Sequence, residues 1–198
     1  MQRAGLFLVA VTFAFVSLIL LGQALDATVL RLPGLVYLLA ACDPPAILGA
    51  WLATIGSARA GAAPIARGAL AVAALSLTLV GAVVVGDVVL GRIAPGSALA
   101  ATLGSKPGWL AADAGTVLAL GALALGSARI CRAVGEPLSA ALLGVVGLTL
   151  ATRTLAGVWG HFATVPWPFR VAEAVLFAAV ALACRAASSC LGRLTVRP

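Results

Sequence analysis

The chain of 198 residues is 63% hydrophobic and 10% charged, with a net charge of +7 and a mean hydropathy of +1.15. That leaves too little polar surface to cover a water-soluble core, so a soluble globular protein is excluded. In a soluble protein the basic excess would suggest nucleic acid, but there is no binding motif for it, and basic loops that flank membrane spans account for the charge.

The reading is therefore an all-α, polytopic membrane bundle forming a single domain over 1–198, with the lipid bilayer as its main partner. About 20 apolar residues cross the hydrocarbon. Spans are expected at roughly 4–25, 35–56, 69–91, 109–128, 138–160 and 169–186. Gly, Pro and charge punctuate the connections "SARAGAAPIARG" (57–68), "APGSALAATLGSKPG" (94–108), "CRAVGEP" (131–137) and "HFATVPWPF" (161–169).

The first span has features of a cleaved signal peptide: Arg3 as a basic start, an apolar stretch, then "GQA" at 22–24. The stretch is long for that role, and a retained anchor agrees better with the charge pattern. With the N-terminus inside, Arg3, Arg59, Arg67, Arg129, Arg132, Arg185, Arg193 and Arg197 are cytoplasmic, against Arg31, Arg92, Lys106 and Arg170 outside. This positive-inside bias predicts both termini in the cytoplasm and residence in the cell membrane. Trp109, Trp159 and Trp167 then fall at the outer interface.

The second span carries an intramembrane carboxylate, Asp43, followed by Pro44 and Pro45. Asp43 lies about 12 Å below the outer mouth at 1.5 Å per residue, near the middle of the hydrocarbon. Two prolines remove two helical donors, so the spacing predicts a broken helix. One reading is a structural kink with a protonated, hydrogen-bonded Asp43. The other is a broken helix lining a polar cavity, with Asp43 facing the bundle interior. In the fifth span Arg153 shares a face with Thr149, Gly157 and His161. A permanently charged arginine there needs a counter-ion or water, and Asp87, Asp113 and Glu173 are the candidates. Either they form structural pairs, or they line a vestibule open to the outer face with Asp43 as its floor. His161 is the only histidine and reads first as a solvated interfacial residue. Cys42 lies inside a span, and Cys131, Cys184 and Cys190 lie on the cytoplasmic side, so free thiols are expected. No cofactor is expected, and no Cys/His spacing supports a zinc site.

"SALAATLGSKPGWLAADAGTVLALGALAL", "LTLATRTLAGVWGHFA" and "RVAEAVLFAAVAL" together resemble, in order and spacing, the membrane domain of the copper resistance protein D family over about residues 69–186. The resemblance rests on Gly108–Trp109 and Gly160–His161. It implies a bundle of spans and copper handling; the residues this chain has at hand for a minimal, poor copper site are Cys42, near Asp43, and His161 at the mouth. Two features of the family are missing: the basic residue after the tryptophan gives way to Ala112–Asp113, and a later histidine is absent around Val175–Leu176. Three function classes remain open. The first is a transporter or transport accessory for a small solute or ion. The second is a non-catalytic membrane subunit or assembly factor, acting with other membrane subunits or as a homo-oligomer. An enzyme ranks last, because no nucleophile or acid–base set is evident beyond His161 with Glu173 or Asp113.

Overall fold

A computed structural model describes residues 3–25, 34–135 and 167–194. Helix α1 spans Ala4–Ala24 and α2 spans Leu35–Arg59. Helix α3, Pro64–Val85, runs through a π-helical turn at Gly86–Leu90 into the short α4, Gly91–Ile93. Then come α5, Ala98–Leu103, α6, Lys106–Ala133, and α7, Trp167–Leu194. The architecture is all-α. Five of the helices are long and apolar enough to cross a membrane. The sixth expected span, 138–160, lies outside the described residues.

Local chemistry sets the ends. Helix α2 closes in a Schellman motif: Ala62 N–H reaches the Ser57 carbonyl at 3.0 Å and Gly61 N–H the Ala58 carbonyl at 3.2 Å. Gly61 adopts φ +67°, a conformation that a side chain resists. Pro64 then opens α3, where its missing N–H has no helical partner to lose. Ser97 caps α5 by accepting from Ala100 N–H at 3.1 Å, and Ser105 caps α6 by accepting from Gly108 N–H at 3.3 Å. These two serines explain why the stretch 94–108, expected as a loop, folds instead into α5 and the start of α6. The helices also overrun the expected spans, most of all α7, which continues to Leu194. Apolar content measures the hydrocarbon crossing, whereas a helix continues into the headgroup region until a cap or breaker stops it.

The five long helices close a ring in the order α1, α2, α3, α6, α7 and back to α1. Side-chain pairings fix their directions. Trp51 Nε1 donates to Thr78 Oγ1 at 3.2 Å between antiparallel α2 and α3. Ser17 donates to the Ala174 carbonyl at 2.7 Å and Ser188 to the Arg3 carbonyl at 2.9 Å, so α1 and α7 are antiparallel and joined at both ends. Phe13 and Phe177 meet edge-to-face between them, with centroids 5.2 Å apart. Ser127 contacts the Cys184 thiol at 3.8 Å between parallel α6 and α7. Leu6, Val9, Ala50, Leu70, Leu77, Leu120, Leu123, Leu176 and Val180 fill the centre. The outward faces are apolar as well: Leu18, Leu48, Leu75, Leu118 and Leu182 are each more than half exposed. An apolar core inside an apolar belt belongs to a protein solvated by lipid, and this is a multi-pass membrane protein.

Close approach depends on small residues. The α2 backbone from Gly49 to Ala53 occupies the space a β-carbon on Gly5 would need, and a β-carbon on Gly49 would meet the Gly5 carbonyl and Val9. Gly115 and Gly126 of α6 lie against Val80 and Leu70 of α3 in the same way. Leucine at Gly5 or Gly49 should therefore force α1 from α2 and destabilise the protein by about 3 kcal/mol, at the upper end of overpacking costs. Leucine at Gly68, which has nothing within 4 Å of its added carbon, should leave thermal unfolding in detergent unchanged. Thr78→Val should strand the Trp51 N–H on the lipid face, at a cost of about 1 kcal/mol in the same assay.

Candidate functional site: carboxylates at one end of the bundle

The helix directions sort the charges. The C-terminal end of α1, the start of α2, the π-helical turn with α4 and α5, and the starts of α6 and α7 gather at one end of the ring. Every described carboxylate, Asp43, Asp87, Asp113 and Glu173, lies in that half. Arg3, Arg59, Arg67, Arg129, Arg132, Arg185 and Arg193 lie toward the other end, leaving Arg92, Lys106 and Arg170 at the acidic end.

Helix α2 is not broken at "CDPP": it is assigned as one α-helix from Leu35 to Arg59 with Pro44 and Pro45 inside. This corrects the expected break. Proline's fixed φ is already helical, so what is lost is the pair of donors that would have reached the Ala40 and Ala41 carbonyls. Asp43 is half-buried. It lies against α3 at Gly81, where an added β-carbon would stand 3.5 Å from the Asp43 Cβ and collide with the tip of Ile47. The glycine at 81 is what lets the aspartate and isoleucine face of α2 approach α3. Asp43 has no hydrogen-bond or ion-pair partner among the described residues. Its neighbour Cys42 is buried, with its thiol turned back to the Leu38 carbonyl at 3.3 Å. All four cysteines are free thiols.

Asp113 of α6 precedes by two residues Gly115, which packs on Val80 of α3. Two residues is roughly 200° of turn, so the Gly115 contact fixes the level of Asp113 on α6 but does not set its side chain against α3. Asp113 and Glu173 are each engaged in a polar or electrostatic contact. Arg153 and His161, which the expected vestibule requires, lie outside the described residues. Among the described residues, no group of three His, Cys, Asp or Glu side chains is placed to hold a metal ion.

The sequence reading missed the device that positions Asp87. The π-helical turn Gly86–Leu90 inserts one residue into the helical ladder and redirects the chain beyond it, a feature frequent at functional sites. Within it the Asp87 carboxylate rests on Gly104, in space a β-carbon there would fill, and Leu103 covers Gly86. Just beyond, the Arg92 guanidinium stacks over the Tyr37 ring at 4.8 Å, joining α4 to α2. The glycines Gly86 and Gly91 bracket the turn and are the one local signal that could have marked it.

No protein-family model matches the chain, and it has no significant match among curated proteins or solved structures. Gly104→Leu should displace the Asp87 carboxylate and lower stability by about 2 kcal/mol. Asp87→Ala in the same background should recover part of that loss. Purely additive effects would mean the two residues do not share this space.

Proposed function

We propose that this protein is a transporter, or a transport accessory, for a small cation or cationic solute that enters from the acidic end of the bundle. One observation carries the reading: Asp43 sits well inside a membrane-spanning helix, half-buried against Gly81, with no pairing partner among the described residues. A carboxylate at that depth is costly to keep unless it serves a function. The clustering of Asp87, Asp113 and Glu173 in the same half supports it, because further carboxylates beside Asp43 give a cation successive partners on the way in, although Arg92, Lys106 and Arg170 offset most of their charge. Arg153 is proposed to pair with Asp113 or Glu173. The acidic end is proposed to face outward and the basic end the cytoplasm, following the positive-inside bias. Copper is one cation to test, on the sequence resemblance alone.

Purified protein in sealed vesicles should carry flux of protons, alkali cations or copper. Asp43→Asn should abolish that flux while expression stays intact. Unchanged flux in Asp43→Asn, or no flux of any cation together with a stably co-purifying membrane protein, would overturn the reading in favour of a subunit role. Reporter fusions at residues 62, 100 and 134 should read cytoplasmic, external and cytoplasmic. A cytoplasmic signal at residue 100 reverses the orientation. Arg153→Ala should lower stability, and removal of its partner, Asp113 or Glu173, should restore it.

A further inference from the structure

Arg185 occupies an unusual place. It lies on α7, is exposed on the outer surface of the ring, and its guanidinium stacks over the Phe7 ring of α1 at 5.5 Å. Its Nη1 donates to Ser189 Oγ at 3.1 Å. No carboxylate pairs with it among the described residues, and every described carboxylate lies in the opposite half of the bundle. Among the described residues this exposed cation therefore has no carboxylate counter-ion.

Its depth can be counted along two helices independently. Arg185 comes eighteen residues after Trp167, the first residue of α7, a rise of about 27 Å. Phe7, at the same level on α1, comes seventeen residues before Ala24, a rise of about 26 Å. With those helix ends at one edge of a hydrocarbon core about 30 Å thick, both reach its other edge, where acyl chains give way to phosphates.

The stripe continues outward. Ser189 and Gly192 follow Arg185 on one helical face at i+4 and i+7. The Arg3 guanidinium lies directly over Gly192, in space any side chain there would take, and the Ser188 hydroxyl holds the Arg3 carbonyl at 2.9 Å. Two guanidinium groups and the Ser189 hydroxyl thus line one groove between α1 and α7, and the exposed ring of Phe7, under the Arg185 guanidinium, flanks it.

We propose that this α1–α7 groove binds the phosphate of an anionic phospholipid, with Arg185 as the main ligand, Arg3 as the second and the Phe7 ring against the acyl chains. Guanidinium is suited to phosphate because it offers paired donors in one plane. The interaction belongs to the basic end and does not depend on transport at the other.

Thermal unfolding in detergent, with and without added phosphatidylglycerol, tests it. The wild-type midpoint should rise with phosphatidylglycerol and not with phosphatidylcholine, and Arg185→Gln should lose most of that rise while keeping its lipid-free midpoint. Arg59→Gln, a basic residue of the same end outside the groove, should keep the rise. The proposal is overturned if Arg185→Gln retains the full rise, if Arg59→Gln loses as much, or if inorganic phosphate alone reproduces the effect. If Arg185→Gln does not fold, Ser189→Ala and Arg3→Gln take its place, and a full rise in both likewise overturns it.

Discussion

The constraint beneath this fold is that lipid offers no hydrogen bonds and little hydrophobic gain for bringing helices together. Backbone must satisfy itself within each helix, and helices must then be held by close packing. Both demands point to small residues. Gly5 against the Gly49–Ala53 backbone is the clearest instance, and Gly81, Gly115 and Gly126 repeat the logic around α3. The alanine-rich core is the same solution spread over the ring. Hydroxyls supply the few directional contacts: Ser17, Ser188 and Thr78 each tie one helix to the next.

Within that frame, the polar groups that do not serve packing stand out. Thr12, Thr54 and Thr116 turn their hydroxyls back to a carbonyl one turn earlier and are thereby neutralised. Asp43 has no such local exit, since a carboxylate has no proton to return when ionised. Its surroundings also differ from those of Asp87, which rests on a glycine at the end of a helix rather than beside one in mid-span. The charge separation between the two ends of the ring gives the molecule a polarity along the membrane normal that its apolar body does not have.

Much of this was legible in the sequence. Apolar runs of span length announced α1, α2, α3, α6 and α7, because hydropathy over such a run reports the hydrocarbon directly. Asp43 could be singled out and its depth counted. What could not be read was how the backbone accommodates exceptions. Pro44 and Pro45 predict a break from their lost donors, yet the helix continues, because a compatible φ and neighbouring helices on both sides hold its course. The π-helical turn around Asp87 leaves almost no trace in composition, since it is a change of hydrogen-bond register rather than of residue type. Ser97 and Ser105 were visible, but a serine in a loop and a serine capping a helix read alike until the N–H groups after them are placed.

The closure of the ring through α1 and α7 has a consequence for how the protein is made. The two helices that touch most intimately, through Ser17, Phe13 and Arg3, are far apart in the order of synthesis. At ordinary ribosomal speeds α1 emerges on the order of ten seconds or more before the end of α7. During that interval the face of α1 bearing Leu6 and Phe13 lacks the α7 neighbour it has in the closed ring. It must be sheltered by lipid or by the insertion machinery, and the ring closes only when α7 arrives.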